Sequence, residues 1–330
     1  MTDVVERAKW IADTVLFPDA GLVDTGGVVP ESHFRVLADS GFYGLLTSGV
    51  DLQAAVQVLE VLGGACLSTT FVWMQHHAVA VGLAGTENLP LRERFFDDVV
   101  SGKVRAGVAF AGVLTDPPRL RARKTDGGWV FDGDGPFVSG WGITEVLQLS
   151  GHTGEVIVNA LVDTRTVPEL TASMYHLVAA QATRTVHLRL DGLFVPDERI
   201  VSAVPVEEFR QSRAIGSRMN GCLPIGLALR CANLIDSLGK SAAAEAIAAQ
   251  ADGIRVRLDA ALPDLEALYP ARAEASALAY RAAGALVAAE GASGVLTGGH
   301  GQRLVREAMF TLVAGSRPQI KESLLGELTA

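Results

Sequence analysis

Residues 128–142 read GWVFDGDGPFVSGWG, and this stretch decides the fold class of the chain. Trp129-Val130-Phe131 is a short run of β-branched and aromatic residues that follows the turn signal Asp126-Gly127-Gly128. A second turn signal, Asp132-Gly133-Asp134-Gly135, comes directly after it. The apolar run and the two turn signals together predict short strands joined by tight turns. Farther away on both sides, the spacing of apolar residues is that of helices.

The strand pattern extends on both sides of this stretch. Residues 185–190 alternate, with Val186, Leu188 and Leu190 on one face and polar residues on the other. Residues 145–150 and 155–162 are apolar runs rich in β-branched residues. Short strands at this spacing predict a β-barrel or sandwich.

On both sides of the predicted strands, apolar residues repeat with the spacing of a helix. Before them, residues 66–84 predict a buried helix; after them, residues 223–238 carry one broad apolar face. Three more helices are expected at 241–262, 271–291 and 302–328, with breaks at Pro263 and Pro270. We therefore predict an α+β chain of three parts, namely an N-terminal helical domain (1–104), a central β-domain (105–203) and a C-terminal four-helix bundle (204–330).

Composition excludes several classes of protein. The 330 residues are 49% hydrophobic and 20% charged, which excludes a mainly disordered chain. The net charge of −9 disfavours nucleic-acid binding. With no long uncharged apolar run and no signal-peptide pattern, we expect a cytoplasmic protein without membrane contact. Cys66, Cys222 and Cys231 lack CxxC spacing, so free thiols are expected and a metal site is not.

Three motifs in order resemble those of one family. The first is Gly128–Gly133 with Pro136–Gly142, the second is Ala182–Val186 with Val195-Pro196, and the third is Gln302–Ala308. In this order, within a helix–strand–helix layout, they resemble the acyl-CoA dehydrogenase family, of which the chain looks like a short, divergent member. The resemblance implies that FAD binds between the β-domain and the bundle, with an acyl-CoA or related small molecule as substrate.

The resemblance also implies a set of cofactor contacts. Phe137 takes the place of the family's tryptophan against the flavin ring, and Ser139 takes the place of its threonine. Ordinary core packing for the aromatic residues, and turn or cap roles for the hydroxyl residues, remain open alternatives. The cofactor-binding residues expected on this basis are Phe110, Leu114, Thr115, Phe137, Val138 and Ser139.

Departures from the family pattern concern its catalytic base. Removal of an α-proton during α,β-dehydrogenation requires a carboxylate over the substrate. The family's usual glutamate position corresponds to Ala314 or Gly315, and an alternative position on the first bundle helix falls near Gly216. None of these residues can accept a proton, so the catalytic residue is not identified. Two cofactor elements of the family are also missing: Pro117-Pro118-Arg119-Leu120 replaces its glycine-rich phosphate loop, and its "R-x-x-F-G" element is absent.

Histidines provide the remaining candidates. His300 lies between glycines at the predicted start of the last helix and is a weak catalytic candidate. His76 and His77 are adjacent, so they cannot face one metal from a helix and are expected to pack in the core. Arg303 and Arg306 are expected to form salt bridges.

Three functions follow from these observations. The first is a FAD-dependent oxidoreductase that dehydrogenates an acyl thioester in lipid, steroid or secondary metabolism, as a homo-oligomer or with a homologous subunit. The second is a non-catalytic or partial-site subunit whose homologous partner supplies the base. The third is a flavin-dependent monooxygenase on the same scaffold, which needs no α-proton base.

Overall fold

Within the part of the chain that the structure describes, six α-helices precede the strands. The computed structural model describes residues 2–315 and 317–329. A π-helical turn at Ala12–Leu16 and a 3₁₀ helix at Phe42–Thr47 lie among these helices. Asp51 caps the fourth helix, since its carboxylate accepts a hydrogen bond of 2.9 Å from the Ala54 amide. The helices are α1 (Thr2–Ile11), α2 (Phe17–Gly26), α3 (Glu31–Asp39), α4 (Leu52–Ala65), α5 (Leu67–Gly85) and α6 (Leu89–Val100).

Eight strands form one mixed sheet in the middle of the chain. The sheet order is β6-β7-β3-β2-β4-β5-β8, and β1 pairs in parallel with β4. The apolar alternation of 185–190 becomes β7, whose Val186, Leu188 and Leu190 are buried. The strands are β1 (Ala106–Ala109), β2 (Leu120–Thr125), β3 (Gly128–Val138), β4 (Val146–His152), β5 (Val156–Asp163), β6 (Leu170–Met174), β7 (Val186–Pro196) and β8 (Ile200–Pro205).

The second predicted turn, at residues 132–135, is wrong. These residues lie inside β3, whose register against β7 shifts between Phe131 and Gly133 and again between Gly135 and Val138. Gly133 has φ +115°, and a Cβ there would lie 1.8 Å from the Arg119 carbonyl oxygen. Glycine is therefore required by a bulge in a continuous strand, a signal that resembles a turn in sequence.

Six α-helices formed by the described residues follow the sheet. Helix α8 packs on α4 backbone to backbone, since a Cβ at Gly226 would lie 2.0 Å from the Glu60 carbonyl oxygen. Pro263 ends a helix as predicted, but Pro270 lies within the first turns of α10 and breaks nothing. The helix predicted at 302–328 is two helices. The helices are α7 (Val206–Gln211), α8 (Arg213–Ser237), α9 (Ser241–Ala260), α10 (Leu265–Glu290), α11 (His300–Val313) and α12 (Pro318–Thr329).

The predicted α+β order of helices, strands and helices is confirmed. The domain boundaries at 104/105 and 203/204 stay a prediction. None of the helices formed by the described residues is long and apolar enough to cross a membrane. All three cysteines are buried free thiols, as expected.

Candidate functional site

Two of the sequence motifs meet at one end of β3 and β7. The Gly140 amide donates to the Thr183 carbonyl oxygen at 2.8 Å, and the Arg184 Nε donates to the Trp141 carbonyl oxygen at 2.8 Å. The Ser139 hydroxyl lies 2.6 Å from the hydroxyl of Thr185. The segments Pro136–Gly142 and Ala182–Val186 thus form one structural unit.

A buried row of hydroxyl groups runs through this unit. Ser139 and Thr185 are hydrogen-bonded, Thr185 is bonded to Thr183 at 2.7 Å, and Thr183 donates to the Ala180 carbonyl oxygen at 2.7 Å. Because the Ala180 carbonyl oxygen only accepts, each hydroxyl of the row donates towards it, and the Ser139 oxygen can accept a hydrogen bond from a further partner.

Phe137 presents an aromatic face to solvent beside this row. It is 65% exposed and stacks on Tyr175 with 4.7 Å between ring centroids. Its φ of +53° is unusual for a bulky residue and follows from the bulge between Gly135 and Val138. A strained backbone that exposes a large aromatic ring is typical of a functional position rather than of a core residue.

The orientation of the Tyr175 ring is fixed by a chain of hydrogen bonds. Its hydroxyl is 3.0 Å from His187 Nδ1, and His187 Nε2 is 3.0 Å from Asp134 Oδ1. His187 therefore has a structural role, because it links Tyr175 to Asp134 of β3. Val138, by contrast, is buried in the core of the sheet, so any contact it makes with a cofactor is through its backbone.

The remaining predicted cofactor residues lie on the segment after β1. Phe110 and Leu114 are partly buried against the core of the sheet. Thr115 is exposed, and its hydroxyl donates to carbonyl oxygens of the same loop, at 2.8 Å to Gly112 and 2.9 Å to Pro117. The structure connects β1 to Ser139, because a Cβ at Gly107 would lie 3.4 Å from the Ser139 carbonyl oxygen. Thr115, in contrast, forms no hydrogen bond in the structure to Pro136–Gly142, which we call the Phe137 segment.

The two positions expected for a carboxylate base are brought together by Asn220. The Asn220 Nδ2 donates to the Gly216 carbonyl oxygen at 2.8 Å. A Cβ at Gly315 would lie 3.2–3.4 Å from the side-chain atoms of the same asparagine. Ala314 lies beside it, and its carbonyl oxygen accepts from Arg272 at 3.3 Å. Ser316, the end of this stretch, lies outside the described residues.

Arg213 and Arg272 contact these positions, Arg317 follows Gly315 by two residues, and no local sequence pattern identified any of the three. The Arg213 guanidinium lies over the Phe110 ring at 3.8 Å, and its Nη2 would be 3.9 Å from a Cβ at Gly216. Burial, together with the charge of Arg317, lowers the pKa of Arg213 to about 10. Burial likewise lowers the pKa of Arg272 to about 10.

His300 lies elsewhere. It stacks on Phe17 with 4.3 Å between centroids, and its Nδ1 is 3.3 Å from Arg303 Nη2. Burial, and then the charges of Arg303 and Arg230, lower its pKa. Its contacts are with α2 and α11 rather than with the Phe137 segment, so the structure gives it no place in the candidate site.

The other predicted candidates have structural partners. Arg303 pairs with Glu307 at 2.8 Å in the core, and Arg306 Nη1 donates to Asp24 at 2.8 Å, so both arginines form the expected salt bridges. His76 accepts a hydrogen bond of 3.1 Å from the Ala106 amide and is buried, as is His77. The described residues hold no group of acidic, histidine or cysteine side chains suited to a metal.

Comparisons place this geometry among known folds. No family model matches the chain. Butyryl-CoA dehydrogenase of Megasphaera elsdenii is similar in structure, with a TM-score of 0.85 at 15% identity over 100% of this chain and 98% of that one. A glutaryl-CoA dehydrogenase of Mycobacterium smegmatis in complex with FADH2 gives 0.81 at 14% identity over 99% and 94%. The chain therefore has the acyl-CoA dehydrogenase fold, which confirms the resemblance indicated by the motifs.

Curated relatives are more distant in sequence. Benzylmalonyl-CoA dehydrogenase of Aromatoleum aromaticum is 24% identical over 220 residues, covering 61% of this chain and 58% of the relative. The 3-sulfinopropanoyl-CoA desulfinase of Variovorax paradoxus is 22% identical over 154 residues, covering 44% and 39%. The chain thus matches less than two thirds of the length of either relative.

Proposed function

We propose that the chain is a flavoprotein oxidoreductase of the acyl-CoA dehydrogenase type, which binds FAD and acts on an acyl thioester. The observation that carries the proposal is the exposed Phe137 ring beside the buried hydroxyl of Ser139. A flavin ring needs a flat apolar wall and a hydrogen-bond partner at its edge, and these two side chains fit both needs. When bound, the flavin supplies a hydride acceptor.

An acyl thioester as the substrate is supported by the two curated relatives, both of which are named for acyl-CoA substrates. In this chain, the site for the acyl group lies between the Phe137 segment and the start of α8. Phe110, which follows β1, carries the guanidinium of Arg213, the first residue of α8, on its ring face.

The polar group at the expected base positions is an amide. Asn220 holds the Gly216 carbonyl and lies against Gly315, where a dehydrogenase of this type needs a carboxylate. An amide donates and accepts hydrogen bonds but does not take up a proton near neutral pH. Asn220 can therefore orient a thioester, and we expect α-proton removal at this centre to be slow.

Flavin binding tests the proposal. The full-length protein is titrated with FAD, and the visible absorbance and fluorescence of the flavin are followed. We expect binding in the wild type, retention in Phe137→Trp, and about tenfold weaker binding in Phe137→Ala, since the stacking contact is lost. Phe194→Ala is the matched control, because Phe194 is also an exposed aromatic residue of the sheet. A wild-type protein that does not bind FAD refutes the proposal.

A partial-site subunit is the second candidate, and the absence of a carboxylate at Gly216, Ala314 and Gly315 favours it. In that case a homologous subunit that carries the glutamate completes the active site. Co-expression with such a homologue, followed by native mass spectrometry and activity assays, tests the idea. A mixed oligomer with higher activity than the homologue alone supports it, and separate homo-oligomers contradict it.

A further inference from the structure

Three arginines at the candidate site lack an acidic partner. Among the described residues, Arg213, Arg272 and Arg317 form no ion pair, whereas Arg105, Arg255 and Arg306 each pair with a carboxylate. The chain as a whole is acidic, with a net charge of −9, so carboxylates are not scarce. Partly buried cations without a counter-charge cost free energy, because they lose hydration without gaining an ion pair. An anionic group of a bound ligand would supply the missing counter-charge.

The three arginines differ in how many of their donors are used. Arg272 donates to Ser276 and to the carbonyl oxygens of Thr311 and Ala314, so it holds the end of α11 in place. Arg317 makes one hydrogen bond, of 3.3 Å to the Tyr269 hydroxyl. Arg213 makes none with the described residues and rests on the Phe110 ring. Arg213 and Arg317 therefore keep free donors.

The position of Arg213 and Arg317 indicates which part of a ligand they meet. The Arg213 guanidinium is in contact distance of Gly216, and Arg317 follows Gly315 by two residues. These glycines occupy the two expected base positions, where a carboxylate of the protein would face the acyl carbons next to the thioester. The Arg317 charge also acts on Arg213, so the two guanidinium groups lie near each other beside these positions. If the proposed function is right, the acyl end of the substrate faces them.

We propose that Arg213 and Arg317 bind a second anionic group, a carboxylate, on the acyl part of the substrate. This inference rests on the proposed function and narrows the substrate class to acyl thioesters that carry an acidic group. The planar guanidinium of Arg213 is held flat by Phe110 and can bind a carboxylate through two parallel N–H donors. Arg317 contributes its remaining donors from the loop before α12.

Phosphate is the other anion that arginines recognise, and both FAD and the CoA moiety carry it. A matched pair of thioesters separates the two sources, because the members share every phosphate and differ only in the end of the acyl chain. Succinyl-CoA with butyryl-CoA, and glutaryl-CoA with valeryl-CoA, are such pairs.

Isothermal titration calorimetry on the full-length protein measures the four affinities. We expect at least one acidic thioester to bind about tenfold or more tightly than its neutral counterpart. Arg213→Gln and Arg317→Gln remove most of that preference, whereas Arg213→Lys keeps part of it. Arg281→Gln is the control, because Arg281 is exposed on α10 and forms no ion pair with the described residues.

Two results overturn the inference. One is equal affinity for the acidic and neutral members of both pairs. The other is an equal loss of affinity for both members in Arg213→Gln, which assigns the arginines to phosphate. Thermal melting verifies that each variant is folded. Flavin content is measured separately, so that a protein without FAD that still prefers acidic thioesters refutes the proposed function and not this inference.

Discussion

The Asn220 side chain fills the space beside Gly315, so close that a Cβ at Gly315 would lie 3.2 Å from the asparagine Cγ. The same asparagine binds the backbone of Gly216 one turn earlier in α8. One amide thus contacts both expected base positions, through the backbone carbonyl of Gly216 and beside the Cβ position of Gly315. A glutamate therefore cannot replace Gly315 without cost.

Gly315→Glu is expected to destabilise the fold without producing an efficient base. The residue has φ +63°, which costs a side chain about 1–2 kcal/mol, and the contact with Asn220 adds to this. Urea unfolding measures the loss. Gly49→Ala is the control for backbone strain alone, because Gly49 has φ +78° and, apart from its chain neighbours, no described residue comes within 4 Å of its Cβ position. Gly315→Ala isolates the effect of the first side-chain carbon. If it lowers the free energy of unfolding no more than Gly49→Ala does, the contact with Asn220 does not destabilise the variant, which contradicts the prediction.

Gly216→Glu is expected to have the opposite effect on stability. Gly216 lies in the helix α8, and beyond its own helix backbone and chain neighbours the described atoms within 4 Å of its Cβ position are the Arg213 Nη2 and Cζ, at 3.9 and 4.0 Å. Replacing a helical glycine typically stabilises by roughly 0.5–1 kcal/mol. The new carboxylate pairs with Arg213 and abolishes the preference for acidic thioesters. Gly216→Gln has the same size without the charge, so it keeps more of that preference; equal effects of the two substitutions would contradict the pairing.

The sequence was sufficient for the order of elements. The alternation of apolar residues in 185–190 and their helical repeat in 223–238 both depend on which side chains face the core. Both segments fold as predicted. Where a residue's conformation depends on a distant neighbour, the sequence misleads. Gly133 is an example, because its requirement for glycine comes from the Arg119 carbonyl rather than from a turn.

The charged part of the candidate site could not be predicted for the same reason. Arg213, Arg272 and Arg317 are far apart in the chain, and nothing in the local pattern separates them from arginines that form surface salt bridges. Only packing shows that they share a region without a carboxylate partner. His300, in contrast, has a favourable local pattern between glycines but packs on Phe17 away from the site.

Phe137→Gly is expected to separate stability from cofactor binding. Glycine adopts φ +53° without strain, so the substitution relieves a backbone cost of order 1–3 kcal/mol while it removes the aromatic ring. The exposed ring contributes little core packing beyond its stack on Tyr175. We expect an unfolding free energy equal to or above that of the wild type, together with weaker FAD binding. Phe137→Ala, which keeps the strain and loses the ring, should be the less stable of the two in urea unfolding.

Two buried histidines are expected to make the fold sensitive to acid. Burial lowers the pKa of His76 to about 4 and that of His77 to about 3. Because the folded pKa of each lies below the ordinary value of about 6.5, protonation favours the unfolded chain, and stability falls as the pH falls from about 6.5 towards 4. Each histidine contributes a slope approaching 1.4 kcal/mol per pH unit in that window.

His77→Leu tests this directly. Both ring nitrogens of His77 lack partners among the described residues, so leucine removes a buried polar ring of similar size without breaking a hydrogen bond. The free energy of unfolding is measured in urea between pH 7 and pH 4.5, and the variant should lose less stability than the wild type over that range. His176→Leu is the control, since His176 is exposed. Parallel pH profiles for the wild type and His77→Leu would show that His77 is not the group that titrates.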